Sequence, residues 1–384
     1  MKILYIVSRP LEINSSASMR NIATINGLVK NGNEVDILTY KADINHPNYD
    51  SSLKPLGNKI YISDNSINRI RGFGRNLNFL KKPRKIVYDL TQKNNVYGID
   101  RNILNYVDNI KDKINDYDLV ISSSDPKSSH LFVSEIIKLK EKKFKWIQIW
   151  GDPFYDDMTN QENKNLNLKK KMEEEKLLKN ADIIIYVSPI TLNRQKKLFP
   201  FANKKMFFIP RPYLKKRIAD LKVNKINLLY AGDYFSKVRN IEPLYTACQE
   251  LNIDFNLLGN SDLDLKSSNS TNVYPRVGKA ELDKIEESSN VLVQISNISG
   301  GQIPGKIYEY SSTNKIILYL LEKNIQSEIK EYFEKYNRFI FVRNNKDEII
   351  RILKEIEKNL PNIKLGPVEE FSDKYVAKQI LELL

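Results

Sequence analysis

The chain of 384 residues has little of what disulfide and metal sites need. A single cysteine, Cys248, excludes an internal disulfide and a cysteine-rich zinc site. Two histidines, His46 and His130, are too few for a histidine-built metal centre. No stretch approaches the roughly 18 consecutive apolar residues of a membrane-spanning helix, and the apolar run at the N-terminus is too short for a signal peptide. We therefore expect a cytoplasmic protein without a metal site, and association with the inner face of a membrane remains open.

The composition is that of a folded protein with an excess of positive charge. Hydrophobic residues make up 41% and charged residues 28%, enough to build real cores, and the length predicts two domains of roughly 150–200 residues. The formal charge of +14 and the sequence pI of about 9.4 favour anionic partners. Phosphorylated metabolites and anionic membranes remain open. Nucleic acid is not expected, because the chain carries no RNP-type, zinc-finger or recognition-helix signature.

The N-terminal half has the pattern of a doubly wound α/β domain. Apolar runs predict buried strands at residues 2–8 and 34–40, and helical spacing predicts a helix at 20–31 between them. The intervening loop lacks G-x-G-x-x-G, so a dinucleotide fingerprint is absent. Ser16 and Arg20 could meet a phosphate near the helix start, although an ordinary capped loop fits equally well.

A basic segment with interleaved apolar residues lies in the less regular part of this half. From Asn68 to Lys85 it reads NRIRGFGRNLNFLKKPRK and carries seven basic residues. Such a mixture could lie on an anionic membrane or contact a lipid-linked acceptor. A charged surface helix with its apolar side packed inward is the alternative.

Two further strands of this half, predicted at 117–122 and 146–150, are followed by aspartates. Ser124 and Asp125 come after the first strand and Asp152 after the second, at the strand ends where doubly wound folds hold their chemistry. Each aspartate could be a base, a ligand for a hydroxyl group or a helix cap, and Asp125 is the better cap candidate.

The remaining elements of this half are predicted to be structural. His130 lies in a predicted helix at 127–140 and is expected to be part of its packing. The helix at 166–179 carries KKKMEEEK, which predicts a solvated face. A strand at 181–188 closes the sheet, and a proline-containing stretch at 193–212 suits a crossing between domains.

The second half repeats the α/β pattern. Strands are predicted at 225–231, 255–258, 273–277, 291–295, 316–321 and 338–342, and helices at 241–251, 279–288, 306–313, 322–336, 346–359 and 372–384. The predicted domains are residues 1–205 and 206–366, and the last helix, within 367–384, is expected to pack back on the first domain. Two α/β domains facing each other across a cleft is the economical architecture.

The loop between the predicted strands at 291–295 and 316–321 looks suited to an anion. Its glycines would let backbone amides approach a ligand closely, and Pro304 precedes a helix start. Lys306 and Glu309 lie three apart and share a helix face, so a cation and a hydroxyl acceptor would lie together. An ordinary loop with a solvated ion pair is equally compatible with these residues. The glycines are Gly300, Gly301 and Gly305.

Several segments, taken in order, resemble GT-B glycosyltransferases and are closest to glycosyltransferase family 4. NGNEVDILTY resembles the family's N-terminal strand, and KNADIIIYVSPITLNRQKK and FFIPRPY resemble the segments that lead into its second domain. YAGDYFSKVRNIEPL is similar to the donor phosphate loop, VYPRVGKAELDKIEESSNVLVQIS to the run that follows it, and IPGKIYEYSSTNKIIL to the donor motif. The resemblance covers nearly the whole chain. It implies two Rossmann-like domains, with the acceptor bound by the first and a nucleotide-sugar by the second.

The resemblance implies roles for residues of the second domain. Glu309 matches the glutamate that holds the ribose hydroxyls, and Lys237 and Arg239 lie where basic residues neutralise the donor pyrophosphate. These two cations are therefore the implied catalytic residues on the donor side. The other implied donor contacts are Gly232, Arg276, Val277, Gly300, Gly301, Pro304, Gly305 and Lys306.

On the acceptor side, the resemblance implies a catalytic role for Asp152, at a strand end where relatives place acceptor or sugar contacts. Ser16, Arg20, Ser124 and Asp125 are the other implied acceptor-side residues. No cofactor is implied, since the nucleotide-sugar is a co-substrate, with UDP as the expected nucleotide. The acceptor is expected to be a glycan or a lipid-linked or protein-linked group, with possible membrane contact through the segment from Asn68 to Lys85.

Two departures from the family pattern bear on activity. The family usually carries a second glutamate eight positions before the ribose-binding one, and that position is Gly301. Many relatives have a histidine at the position of Ser124. These departures leave the donor sugar and the mode of transition-state stabilisation open.

The function that the resemblance implies is sugar transfer to a hydroxyl acceptor. Retention of anomeric configuration, independence of metal and a place in bacterial polysaccharide or glycoconjugate synthesis are further implications. Rival functions are a nucleotide-sugar epimerase on the same fold and a glycosyltransferase-like binding subunit that has lost activity.

Overall fold

The computed structural model describes residues 1–62, 95–157, 164–220, 225–298, 303–322 and 326–384. The chain divides into two compact units, Met1–Leu214 with Asp373–Leu384, and Lys215–Ser372. The basic segment from Asn68 to Lys85 lies outside the described residues, as do Gly300 and Gly301. None of the described helices is long and apolar enough to cross a bilayer.

The first unit is built on a seven-stranded parallel sheet in the order β3-β2-β1-β4-β5-β6-β7. Its central strands are buried on both faces, as their continuous apolar runs predict. Strand β3, at one edge, has Ile62 as its single buried residue, and the sequence did not predict it. The strands are β1 Lys2–Ile6, β2 Glu34–Tyr40, β3 Asn58–Ile62, β4 Leu119–Ser123, β5 Lys145–Trp150, β6 Ile183–Tyr186 and β7 Met206–Phe208.

The helices of this unit connect the strands and cover the sheet. Helix α1 begins four residues earlier than predicted, because the Ser15 side chain accepts a hydrogen bond from the backbone amide of Ser18 and caps the helix. The helices are α1 Ser16–Lys30, α2 Val107–Ile110, α3 Ser128–Leu139, α4 Lys164–Asn180 and α5 Pro189–Leu198, with 3₁₀ turns at Gly98–Tyr106, Ile114–Asp116 and Pro200–Lys205.

The second unit is built on a six-stranded parallel sheet in the order β10-β9-β8-β11-β12-β13. The prediction of a strand at 273–277 is wrong in its bounds. Strand β10 ends at Tyr274, because Pro275 has no backbone N–H to donate to the ladder. The strands are β8 Asn227–Ala231, β9 Asp254–Leu258, β10 Thr271–Tyr274, β11 Val291–Ile295, β12 Ile316–Leu321 and β13 Phe339–Arg343.

Helices of the second unit lie between these strands. Helix α8 ends at Tyr310, three residues short of the prediction, because Ser311, Ser312 and Thr313 turn their hydroxyls back onto backbone carbonyls. The helices are α6 Glu242–Leu251, α7 Lys279–Ser288, α8 Lys306–Tyr310, α9 Gln326–Glu334 and α10 Lys346–Asn359, with 3₁₀ turns at Leu360–Asn362 and Glu369–Phe371.

The last helix, α11 (Asp373–Leu381), belongs to the first unit and packs on α1. A Cβ on Gly27 would lie 1.9 Å from the carbonyl oxygen of Asp373, so only glycine allows this approach. Lys30 closes the contact with an ion pair of 2.5 Å to the Asp373 carboxylate. The first unit also reaches Leu214, beyond the predicted boundary at 205, because β7 pairs with β6.

Strand order in both sheets locates the candidate site. In the first sheet the order reverses between β1 and β4, and in the second it reverses between β8 and β11. Loops that leave the carboxyl ends of such neighbouring strands diverge to opposite faces and open a crevice where ligands bind. Each unit is therefore Rossmann-like and doubly wound, as predicted.

Candidate functional site

The loop after β8 packs closely on the loop after β9. A Cβ on Gly259 would lie 2.0 Å from the carbonyl oxygen of Gly232, and Gly259 has a φ of +149°, so glycine is required there. The backbone amide of Asn260 donates to the Asp233 carboxylate at 3.0 Å, and the amide of Tyr234 donates to the carbonyl of Asn260 at 3.0 Å. The predicted phosphate loop is thus braced by its neighbour.

Arg239 is held from two directions at the switch point between β8 and β11. Its Nε donates to Oδ1 of Asn297 at 2.8 Å, and its Nη1 donates to the carbonyl of Asp233 at 3.2 Å. Asn297 follows the end of β11, and the amide of Ile298 donates to the carbonyl of Val238 at 2.9 Å. The guanidinium is therefore fixed between the ends of the two strands.

Lys237 lies exposed in the same loop. Nearby, Ser236 donates to the Asp262 carboxylate through both its hydroxyl and its backbone amide, each at 2.7 Å. These hydrogen bonds, with a smaller contribution from Lys237, lower the pKa of Asp262. The two predicted catalytic cations of this unit thus lie two residues apart, Arg239 held by its neighbours and Lys237 open to solvent.

Residues after β10 reach the same loop. Arg276 forms an ion pair of 2.8 Å with Asp233, although its side chain is 64% exposed. Val277 packs on an apolar cluster that includes Leu258 at the end of β9. Three of the predicted donor contacts, Gly232, Arg276 and Val277, therefore share one edge of the sheet.

Helix α8 packs its last turn against β8. Tyr310 is buried in one cluster with Ala231, at the end of that strand, and Glu309 is half-buried in the same turn. The carbonyl of Glu309 accepts from Arg217 at 2.9 Å, and Lys306 Nζ lies 6.0 Å from the centre of the Tyr310 ring. Gly305 is the N-cap of this helix and Pro304 precedes it, as predicted for Pro304.

Strand ends β4 and β5 of the first unit are linked through Ser124. The hydroxyl of Ser124 accepts a hydrogen bond from the amide of Gly151 at 3.1 Å. Next to it, the carboxylate of Asp125 contacts the ammonium of Lys127, whose side chain is only 11% exposed. Asp152 follows Gly151 and is half-buried. Three polar side chains therefore lie at the strand ends, where the sequence predicted them.

The two aspartates at this edge have pKa values shifted in opposite directions. Burial and the neighbouring charge of Asp125 raise the pKa of Asp152 despite the opposing charge of Lys127. Burial acts the same way on Asp125, but the ion pair with Lys127 and the charge of Arg20 outweigh it, so the pKa of Asp125 is lowered. Lys127, held by the carboxylates, has a raised pKa in spite of its burial.

Arg20 lies beneath this edge with 4% of its surface exposed. Its Nη2 donates to the Ser123 hydroxyl at 3.2 Å and contacts the Ser124 carbonyl, and a Cβ on Gly151 would lie 2.4 Å from its Nη1. Arg20 therefore braces the strand ends from inside. Ser16 lies at the start of α1, where its hydroxyl and its carbonyl accept from Arg211, each at 2.6 Å.

The sequence did not predict the burial of two charged residues near this edge, Lys127 and Glu174. Lys127 immediately precedes helix α3, at a position where a lysine is ordinarily solvated. Glu174, in the KKKMEEEK run, is fully buried and accepts from the amide of Tyr155 at 2.8 Å, so the prediction of a solvated face is wrong at this residue. Burial raises the pKa of Glu174 to about 7. The sequence offered no signal for the burial of either residue.

His130 belongs to the interior of the first unit. It is fully buried, its Nδ1 lies 2.7 Å from the Ser122 hydroxyl, and its ring stacks on Trp150 at 4.4 Å between centres. Burial lowers its pKa to about 3, so it is neutral at physiological pH. The expectation that it serves packing agrees with this placement.

The predicted residues lie outside the cavity found in the first unit. A cavity of about 580 Å³ in the first unit is lined by residues near Tyr97, Leu131 and Leu177 and by none of the predicted site residues. Among the described residues, no group of three or more His, Cys, Asp or Glu is arranged to hold a metal ion. The arrangement in the second unit suits an anion beside Arg239, with a hydroxyl acceptor at Glu309.

No family model matches the chain, and no curated protein sequence matches it significantly. Solved structures do match over its whole length. An alpha-glucosyltransferase in complex with UDP and a 13-mer DNA containing an HMU base matches at 11% identity and a TM-score of 0.57, covering 100% of this chain and 98% of that one. The lipopolysaccharide outer core galactosyltransferase WaaB matches at 12% identity and 0.54, covering 100% of both. The glycotransferase of kitacinnamycin matches at 12% and 0.52, covering 100% and 99%.

These matches confirm the predicted GT-B fold, with its two parallel sheets flanked by helices. At such low identity they establish the fold alone. Membership of family 4 stays a prediction.

Proposed function

We propose that this chain is a glycosyltransferase that moves a sugar from a nucleotide-sugar donor to a hydroxyl acceptor. The observation that carries the proposal is the guanidinium of Arg239, fixed at the switch point of the second sheet by Asn297 and Asp233. A cation fixed there suits the pyrophosphate of a nucleoside diphosphate. The fold shared with glycosyltransferases supports the same reading.

On the donor side, Arg239 and Lys237 bind the two phosphates, and the Gly232 backbone approaches them closely. Glu309 accepts hydrogen bonds from the ribose hydroxyls, and the backbone at Arg276 and Val277 contacts the base. We propose UDP as the nucleotide, a choice supported by the glucosyltransferase that was solved with UDP. The loop containing Gly300, Gly301, Pro304 and Gly305, with Lys306 beyond it, completes the donor site.

The chemistry needs stabilisation of a leaving group more than a strong nucleophile. The bond from the anomeric carbon to the phosphate oxygen breaks, the acceptor oxygen bonds to that carbon, and the acceptor hydroxyl gives its proton to the departing diphosphate. Negative charge grows on the departing diphosphate, where preorganised cations act without reorganisation. Arg239, already held in place, supplies this charge, and Lys237 adds to it.

On the acceptor side, Asp152 receives a hydrogen bond from the acceptor hydroxyl. The ion pair of Asp125 and Lys127 sets the charge around Asp152. Ser124 links the ends of β4 and β5, and the buried Arg20 contacts the Ser124 carbonyl. Ser16 lies at the start of α1 on the same unit. Orientation of the hydroxyl is the main contribution expected from these residues.

The charge of the chain supports an acceptor at an anionic surface. Residues 1–214 and 373–384 contain 38 lysines and arginines against 25 acidic residues, whereas residues 215–372 contain 23 against 22. The excess therefore belongs to the unit that we assign to the acceptor. We propose a lipid-linked or glycan acceptor in bacterial glycoconjugate synthesis, retention of configuration without a metal, and membrane contact through the segment from Asn68 to Lys85.

A thermal-shift screen of nucleotide-sugars tests the donor assignment. A ligand at 100 times its Kd adds about 2.7 kcal/mol to the apparent stability, so a true donor is readily detected. The donor found is then incubated with and without candidate acceptors. Transfer that depends on acceptor supports the proposal, release of free sugar without acceptor indicates an epimerase, and the absence of any binder contradicts the proposal.

An inactive binding subunit is the second candidate, because Gly301 and Ser124 stand where the family that the sequence resembles usually has a glutamate and a histidine. Donor affinity without turnover across lipid-linked and glycan acceptors would favour this function over transfer.

A further inference from the structure

Asn297 is a polar side chain enclosed at the end of a strand. It follows β11 after one residue, only 4% of its surface is exposed, and its Oδ1 accepts from Nε of Arg239 at 2.8 Å. Burying an amide costs free energy unless it is hydrogen-bonded, so the bond to Arg239 accounts for the placement of this side chain. The two side chains are therefore fixed together.

A second contact orients the same guanidinium. Nη1 of Arg239 donates to the carbonyl of Asp233 at 3.2 Å, and that carbonyl also accepts from the Tyr230 hydroxyl at 3.3 Å. The two contacts engage Nε and Nη1, and the Tyr230 hydroxyl also interacts with Arg239, so the plane of the guanidinium is fixed.

The backbone of the loop has its own attachment to β11. The amide of Ile298 donates to the carbonyl of Val238 at 2.9 Å, one residue before Arg239. The main chain is consequently anchored without the Asn297 side chain, whose remaining contribution is to the direction of the guanidinium.

We infer that Asn297 is a positioning residue that aims Arg239 at the donor diphosphate. The inference rests on the proposed function and adds a residue that neither the sequence pattern nor the resemblance assigned. A carbonyl oxygen of an amide is a neutral acceptor, so it orients the guanidinium and leaves its full charge for the phosphate. A carboxylate at the same position would hold the cation equally well but would offset its charge.

A double-mutant cycle tests this role, with UDP as the probe in isothermal titration calorimetry. Asn297→Ala should weaken UDP binding about tenfold, because a hydrogen bond to a charged group loses its geometry. In an Arg239→Ala background the same substitution should change the affinity little, since the residue acts through Arg239. The matched control is Asn272→Ala on the edge strand β10, where an exposed asparagine donates to Asn256 at 3.2 Å.

Asn297→Asp separates positioning from a structural role. It keeps the shape and the hydrogen bond, so the melting temperature should hold or rise, whereas UDP affinity should fall because the new carboxylate competes with the phosphate for Arg239. Equal affinity in Asn297→Asp and wild type would overturn the inference, as would an Asn297→Ala effect of the same size with and without Arg239.

An NMR measurement on Arg239 distinguishes failure of this inference from failure of the proposed function. The Nε–H of Arg239 should give a slowly exchanging NMR signal in the unliganded protein that broadens in Asn297→Ala. If wild type binds no nucleotide, both the proposed function and this inference fall. If nucleotide binds but the Nε–H signal is unaffected by Asn297→Ala, only this inference falls.

Discussion

The buried carboxylate of Glu174 accepts a hydrogen bond of 2.8 Å from the backbone amide of Tyr155, in the loop after β5 that contains Asp152. Helix α4 thereby supports the loop that we assign to the acceptor. Burial raises the pKa of Glu174, and the hydrogen bond from Tyr155 and the charge of Lys127 oppose it, leaving the value near 7. Asp156 adds to the rise.

This raised pKa predicts a stability that falls as pH increases. An unfolded glutamate titrates near 4.5, whereas Glu174 in the folded protein titrates at about 7. Between these values the folded state holds a proton that the unfolded state has lost, so the contribution is complete below pH 4.5 and is lost as the pH rises through about 7. Glu174→Gln should remove this slope and raise stability at pH 8 by about 1–3 kcal/mol. Urea denaturation at pH 5 and pH 8 measures it, and an unchanged slope in the variant would contradict the assignment.

Removal of the buried ammonium at Lys127 should shift the pH profile of transfer. Lys127→Met takes away the charge that opposes a rise in the pKa of Asp152. If ionised Asp152 is needed for transfer, the acidic limb of kcat/KM should move to higher pH, by about one unit, which corresponds to 1.36 kcal/mol. The control is Lys138→Ala, which removes an exposed lysine from helix α3, the helix that begins directly after Lys127. An acidic limb at the wild-type pH would argue against the role of Asp152.

Glu309 should discriminate the ribose of the donor nucleotide. Wild type is expected to bind UDP more tightly than 2′-deoxy-UDP, and Glu309→Ala should lose about tenfold in UDP affinity together with this discrimination. Calorimetry with both nucleotides gives the two affinities. Glu331→Ala, an exposed glutamate on α9, serves as the control. Discrimination that survives in Glu309→Ala would place the ribose elsewhere.

The two cations after β8 should carry most of the rate. Loss of one preorganised charge at a developing anion costs about 10²–10³ in kcat, so the double variant Lys237→Ala with Arg239→Ala should show no measurable transfer. Both side chains are at least partly exposed, and circular dichroism should report an unchanged fold. Undiminished turnover would refute the phosphate assignment.

The contact between α1 and α11 should not tolerate a methyl group. In Gly27→Ala the new Cβ would overlap the Asp373 carbonyl, so α11 must shift, at a cost of about 1–3 kcal/mol in the free energy of unfolding. Gly366→Ala is the control, because a Cβ there meets nothing within 4 Å. Equal stability of the two variants in urea would show that α11 does not hold the position described.

Local patterns predicted the elements of the fold well. The bounds of β2, β11, β12, α7 and α10 match the prediction, because each is a continuous apolar run or a clear helical repeat. Strand β3 was missed because an edge strand buries little and carries a weak pattern. The end of β10 could have been predicted from Pro275, because proline has no backbone N–H to donate to the sheet.

The sequence predicted which residues lie at the candidate site better than it predicted which residues contact one another there. The sequence predicted the strands that precede these residues, so it also predicted that they lie at the carboxyl edges of the two sheets. The residues are Asp125 and Asp152 in the first unit and Lys237 and Arg239 in the second. The contact between Asn297 and Arg239 joins loops 58 residues apart, and local spacing carries no information about it. The same holds for Glu174, whose burial depends on the packing of α4 beneath a distant loop.

The return of α11 to the first unit makes the second unit an insertion in the first. The chain leaves the first unit after Leu214 and re-enters it at Asp373. During synthesis the apolar face of α1 that α11 covers must wait until the whole second unit has been translated. A fragment that stops before residue 373 should expose that face and aggregate, whereas residues 215–372 form a continuous stretch that can fold before the rest is complete.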